Sequence, residues 1–328
     1  MPDSRLLLAL ALVSAIGGVC APPDVSAQEA EPFKTRNLSP MISIFGLPTW
    51  HVPSGSFELA VTSELANHYR LSGRGTEQLI LDGETWRNSL FLSKQFADGW
   101  SVSLELPHYR IAGGILDDVV DGWHSIFGLP DGGRNNRPEG DVLFELAQNG
   151  QAFYLLDDGA SAFGDVQIGI AYALGRNNGF HVKATVKLPT GDEDLLAGSG
   201  STDWSVTLLR SREVSLGKRA AGYFWGIGAI QLGHADRILY AQEDGGLLGL
   251  VGGSLQLTQN IGVKLQLDMH TALYNSQLEE IGEDAFQATI GGWWSFTERG
   301  RLDFGINEDL EVSTSPDVVL HVNAQWRW

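Results

Sequence analysis

Asp317-Val318-Val319-Leu320-His321-Val322-Asn323-Ala324-Gln325-Trp326-Arg327-Trp328 closes the chain and decides its fold. The even positions are Val318, Leu320, Val322, Ala324, Trp326 and Trp328. The odd ones are Asp317, His321, Asn323, Gln325 and Arg327, with Val319 the exception. Successive side chains of a strand point to opposite faces, so this alternation gives one apolar and one polar face. Inside lipid every backbone group must be paired within the protein, which leaves helices and closed sheets; a barrel strand shows its apolar face to lipid and its polar face to the lumen. An alternating terminal strand with an aromatic last residue looks like the C-terminal targeting strand of outer-membrane proteins.

The same alternation recurs upstream. Phe57, Leu59, Val61 and Leu65 oppose Glu58, Thr62 and Glu64, and Trp100, Val102, Leu104 and Leu106 oppose Ser101, Ser103 and Glu105. Val166 to Leu174 and Phe180 to Leu188 repeat it around Arg176-Asn177-Asn178-Gly179, a hairpin signal. Further strands are expected near 86–96, 203–212, 221–233, 247–258, 261–271, 285–296 and 301–307, which makes about twelve. Short connections (97–99, 176–179, 213–219, 259–260, 297–300) alternate with long ones (68–85, 107–164, 189–202, 234–246, 273–284, 308–316), as barrels with short periplasmic turns and long outer loops require. Phe96, Trp100, Phe180, Tyr223, Phe296, Trp326 and Trp328 fall at the periplasmic end, where aromatic rings sit at headgroup level. The expected fold is all-β: a transmembrane antiparallel up-and-down barrel of about twelve strands. A segment pair at Val142 to Leu146 and Ala152 to Leu156, joined by Asn149-Gly150, is either an extra outer hairpin or two more spanning strands, giving about fourteen.

The N-terminus is an export signal. Arg5 precedes an apolar run from Leu6 to Ile16, and Val25-Ser26-Ala27 offers a small-x-small cleavage site, so residues 1–27 leave and the mature chain begins at Gln28. Val19 and Gly17 before Cys20 do not suit a lipobox. The only cysteine thus departs with the signal, excluding disulfides and thiolate chemistry. Residues 28–54 form a periplasmic segment or a plug, and 55–328 the barrel. The 328-residue chain has 22 Lys and Arg against 40 Asp and Glu, a net charge of −18, with no basic stripe for nucleic acid. No later apolar run reaches the roughly 18 to 20 residues of a spanning helix.

Several motifs resemble a proteobacterial family of uncharacterised outer-membrane barrels, a domain of unknown function. They are Asn37-Leu38-Ser39-Pro40 with Phe45-Gly46-Leu47-Pro48, Asp82-Gly83-Glu84-Thr85, Gly113-Gly114 with Asp117 and His124, Phe127-Gly128-Leu129-Pro130 to Arg134, and Leu188-Pro189-Thr190-Gly191-Asp192 leading to Ser199-Gly200-Ser201-Thr202-Asp203. The Leu-Pro-Thr-Gly-Asp stretch is also similar to one in outer-membrane transporters of the phenol-degradation meta-pathway. The resemblance implies a barrel in the outer membrane of a Gram-negative cell and, more weakly, small-solute passage; it brings no catalytic residues or cofactor.

By parity, the lumen is lined by Glu58, Glu64, Arg87, Glu105, Asp165, His181, Lys183, Lys187, Lys264, Asp268, Asp303, His321 and Arg327. Mixed signs suit a polar solute-selective pore or an interior cross-paired and shut. In the longest connection Ile115, Leu116, Val119, Val120, Trp123, Ile126 and Phe127 recur at helical spacing among Asp117, Asp118, Asp121 and His124. This segment would gate the mouth or pack on the rim. Acidic loops at Asp192 to Asp194, Glu243-Asp244, Glu279 to Asp284 and Glu308 to Glu311 lack the spacing of a calcium loop and read as solvated. No histidine has the strand serine two residues away expected of an outer-membrane phospholipase, so no catalytic, cofactor or metal residues are assigned. The expectation is a non-enzymatic barrel passing a small solute, with outer-membrane lipids and the barrel assembly machinery as partners and Sec export as its route. The alternatives are a closed structural or interaction barrel and an outer-leaflet lipid-modifying enzyme.

Overall fold

The computed structural model describes residues 30–51, 55–96, 99–114, 140–175, 179–235, 241–310 and 314–328. Its strands are β1 (Phe57–Arg74), β2 (Glu77–Gln95), β3 (Trp100–Ala112), β4 (Leu143–Gln148), β5 (Gln151–Leu156), β6 (Ala160–Phe163), β7 (Gln167–Ala173), β8 (Phe180–Lys187), β9 (Asp203–Leu216), β10 (Arg219–Gln231), β11 (Gly245–Gln256), β12 (Ile261–His270), β13 (Ala285–Ser295), β14 (Gly300–Asp309) and β15 (Val318–Arg327). Twelve of them, β1 to β3 and β7 to β15, form a closed antiparallel wall. The seam runs β1 to β15, from Glu58 opposite Arg327 to Asn67 opposite Val318, and Trp328 N donates to Phe57 O at 3.0 Å to finish it.

The wall inverts the burial of a water-soluble protein. Val206, Ile227, Leu265 and Ile290 point outward and exposed, while Glu58, Glu64, Arg87, Lys187 and Gln266 point inward and buried. Period-two alternation produces both faces at once, and the outward one is stable only against hydrocarbon. Phe57 with Trp328, Trp100 with Tyr172, and Phe296 with both Trp294 and Trp326 form the aromatic rim at the turn end.

Strand count and strand length depart from the sequence reading in different ways. The 142–156 segments are the outer hairpin β4–β5 and not two more spanning strands: β4 pairs with Glu77 to Asp82 of β2, above the point where β3 ends. The stretch 68–85 is not a loop, because β1 and β2 continue through it for 18 and 19 residues to a tight turn at Gly75. Crossing the apolar band takes about 9–11 tilted residues, so nearly half of each strand projects beyond it. The connection expected at 213–219 shrinks to Gly217-Lys218 for the same reason. β6, which the alternation did not reveal, pairs with His108 to Ile111 of β3 directly beyond β7, so β6 and β7 are one wall strand broken at 164–166. Glycine is needed at the break, since a Cβ on Gly164 would meet the Tyr109 ring at 2.5 Å.

On the lower wall Trp293 lies over Gly262, its register partner, with Arg301 stacked 4.9 Å from the indole. A Cβ at Gly262 would overlap that ring. Gly262→Val is therefore expected to destabilise the barrel by about 1–3 kcal/mol through overpacking. The check is the urea midpoint of the folded, fast-migrating band; an unchanged midpoint would refute the packing argument.

Candidate functional site: the barrel lumen

Residues 30–51 lie inside the barrel, and all but Ser43 are buried. The rising arm begins beside Ser211 and Gly222, near the turn end of β9 and β10. It then follows β12 in parallel, with a constant offset of 233 residues. Lys264 Nζ donates to Glu31 O at 3.2 Å, Phe33 N to Gln266 Oε1 at 2.6 Å, and Thr35 Oγ1 to Asp268 Oδ2 at 3.4 Å. Asn37 Nδ2 is 3.0 Å from His270 Nε2, and Tyr274 Oη donates to Met41 O at 2.7 Å. An extended chain alternates its faces, so the odd residues engage β12 while Lys34 and Arg36 reach across the lumen.

Those two cations complete the charge of the far wall. Lys34 pairs with Glu58 at 2.9 Å, and His51 meets the same carboxylate at 2.9 Å. Arg36 Nη2 grips both oxygens of Glu105 at 2.7 and 2.9 Å while its Nη1 donates to Leu47 O at 3.3 Å, tying rising arm, returning arm and wall together. Arg87 bridges Glu105 and Glu64, the latter at 3.1 Å, and His321 lies 3.2 Å from Glu64. Lower down, Glu31 pairs with Arg327 and stands 3.9 Å from Arg301, and Lys264 meets Asp303 at 2.9 Å. Such buried pairs are stable only when each charge is matched.

Towards the outer mouth the arm turns over. Asn37 Oδ1 accepts from Ser39 N at 2.9 Å, Pro40–Ser43 makes one helical turn with proline at its start, and Gly46 leads back down. Met41, Ile42, Ile44 and Phe45 enter an apolar cap with Leu79, Phe144, Leu146, Tyr154, Leu196 and Tyr274. Beneath the cap, Lys187 bridges Asp165 at 2.8 Å and Asp203 at 3.0 Å. Asp165 accepts from the backbone of Thr190, Gly191 and Ser199, which folds the 189–202 loop inward. Asp203 accepts from Gly46 N at 2.9 Å and Gly233 N at 2.9 Å, holding the returning arm.

The structure thus brings together most of the lumen positions read from parity. Glu58, Glu64, Arg87, Glu105, Asp165, Lys183, Lys187, Lys264, Asp303 and His321 are buried inward, and His181, Asp268 and Arg327 are inward and half-buried. Asp117, Asp118, Asp121, Trp123 and His124, and the helical spacing read around them, lie outside the described residues, as does 1–29. Sequence reasoning missed Glu31, Lys34, Arg36 and Asn37 as partners of the wall; the alternation across 31–37 was the available signal. Among the described residues no group of three His, Cys, Asp or Glu side chains is arranged to hold a metal ion.

A closed antiparallel wall with an apolar exterior and a charged interior defines a transmembrane β-barrel, here with its own N-terminal segment in the lumen. The chain belongs to the family described as protein of unknown function (DUF3187), whose model matches residues 8–328. No curated protein matches the sequence. Among solved structures it is similar to an outer membrane channel from Pseudomonas putida F1, with TM-score 0.55, 13% identity and coverage of 84% of this chain and 96% of that one. The NanC porin aligns with TM-score 0.45 at 10% identity over 82% of this chain and 100% of that one. At these identities the likeness is one of fold.

Proposed function

We propose that this barrel is an outer-membrane channel for a small polar solute, held shut by residues 30–51 and opened when they leave the lumen. The observation that carries the reading is that both arms start from the turn end of the barrel and, among the described residues, hold to the wall through hydrogen bonds, ion pairs and side-chain packing. The segment is a loop pushed in from one side and is free to be withdrawn the same way. The charged interior suits a hydrated solute, and the likeness of the Leu-Pro-Thr-Gly-Asp motif to meta-pathway transporters supports small-solute passage. On this reading the protein is not an enzyme. It reaches the outer membrane of a Gram-negative cell through Sec, is cleaved after Ala27 and is folded by the barrel assembly machinery among outer-membrane lipids. N-terminal sequencing of the membrane form is expected to begin at Gln28; a start before residue 20 would refute cleavage.

The test is single-channel current in planar bilayers for the full mature chain and for one lacking residues 30–51, each checked for heat-modifiable migration. Brief or small currents from the first and large steady ones from the second are expected. If the shortened chain does not fold, full-length Arg36→Ala takes its place. Silence in both folded forms would favour the closed structural barrel.

A further inference from the structure

The inner wall between β2 and β9 carries a row of small hydroxyl residues. The strand register sets Ser93 opposite Ser103, Ser103 opposite Gly169, Gly169 opposite Thr185, and Thr185 opposite Ser205. The four hydroxyl-bearing side chains are buried, and among the described residues Ser93 Oγ, Thr185 Oγ1 and Ser205 Oγ make no hydrogen bond. Buried hydroxyls without partners are costly, and three on one row mark a surface shaped for something other than its present cover. Gly169 at the centre of the row leaves room for the Ser103 hydroxyl and the Lys183 chain beside it: a Cβ there would meet Ser103 Oγ at 2.5 Å and Lys183 Cε at 3.0 Å.

Over the β8 part of the row, at Thr185, the cover is the returning arm. Gly46 packs on the Lys187 side chain, and Lys183 Nζ donates to Thr49 O at 3.4 Å and His51 O at 3.3 Å. Residues 47 and 48 span the interval between these anchors, the interval that holds Thr185. Pro48 has no N–H, and Leu47 N is already given to Phe45 O at 2.8 Å, so this stretch offers the hydroxyls no backbone donor. Lys183 itself is 5% exposed and, among the described residues, has no carboxylate within ion-pair distance. Its acceptors among the described residues, Thr49 O and His51 O, both leave with the arm.

We propose that the hydroxyl row and Lys183 form a binding track for a small polyhydroxylated carboxylate, a sugar-acid type of solute, that takes the place of the returning arm. The solute's hydroxyls satisfy the row, whose neighbours sit about 5 Å apart across the strands. Its carboxylate replaces the two carbonyls on Lys183. A neutral polyol leaves the ammonium unmatched, and a bare carboxylate leaves the hydroxyls unmatched. The inference rests on the reading that the segment leaves the lumen.

The test uses the full mature chain and its Arg36→Ala form, folded in detergent, with gluconate as probe and glucose and acetate as comparators, read by isothermal titration. Arg36→Ala is expected to bind gluconate about tenfold more tightly than the parent, and both comparators at least about tenfold more weakly than gluconate. In the Arg36→Ala background, Lys183→Met and the isosteric pair Thr185→Val with Ser205→Ala are each expected to lower gluconate affinity about tenfold. Equal binding of the three probes, no binding, or indifference to these substitutions would overturn the track. Bilayer currents in potassium chloride separate the two ideas. Current without selective gluconate binding leaves the channel standing and removes the track, whereas selective binding without current keeps the track and removes passage.

Discussion

Arg36→Ala is expected to free residues 30–51 from the wall while the barrel stays closed. Arg36, Arg87, Glu64 and Glu105 form a buried set with balanced charge. Removing Arg36 leaves one carboxylate in excess and cuts the link to Leu47 O, the contact between the two arms. Breaking a buried pair from one side costs about 3–5 kcal/mol, because the survivor stays unmatched out of water. The loss should fall on segment docking. Amide exchange in residues 31–37 is expected to quicken by roughly a hundred- to a thousandfold, with β1 and β15 little changed. Replacing Glu105 as well, as Arg36→Met with Glu105→Met, restores the balance between Arg87 and Glu64 and should recover most of the protection. If the single variant stays fully protected, or the double one is no better, Arg36 does not hold the segment.

Lys187→Met is expected to have a comparable effect at the outer mouth. Its ammonium stands between Asp165 and Asp203, and without it two buried carboxylates face one another across the gap. Each carboxylate also organises backbone: Asp165 the 189–202 loop, Asp203 the returning arm at Gly46 and the chain at Gly233. We expect a loss of about 3–5 kcal/mol, read as a lower urea midpoint, with new proteolysis at Glu193 in the loop. Adding Asp165→Asn and Asp203→Asn removes the repulsion while keeping oxygen acceptors for the backbone, so the triple variant should be the more stable. If it is no better than Lys187→Met, the site is held by packing and not by charge.

What the sequence disclosed and what it hid divide along the membrane boundary. Val318 to Trp328 and Phe180 to Lys187 were legible because lipid demands an apolar outer face at every second residue. His68-Tyr69-Arg70-Leu71-Ser72-Gly73-Arg74 was not, although it continues β1 without a break. Past the lipid that demand ends, and backbone pairing with residues 77–83 continues the strand. Parity likewise gave the inward side of Glu58 or Lys187 but not their partners. The pairing of Lys34 with Glu58 and Arg36 with Glu105 depends on where a short non-strand segment lies, and its guide, β12, is 233 residues away in the chain. The uncharged row from Ser93 to Ser205 was invisible for another reason: it runs across strands that are distant in sequence and exists only once their register is set.

The constant offset between the rising arm and β12 would make the proposed withdrawal stepwise. A slip of one residue, about 3.3 Å, would turn Lys34 and Arg36 from the far wall to the β12 face and take these two cations from Glu58 and Glu105. Only a shift of two residues, roughly 7 Å, restores the faces. On the proposed reading the arm would act as a ratchet with widely separated teeth, and the lumen should switch between discrete conductance levels instead of widening by degrees.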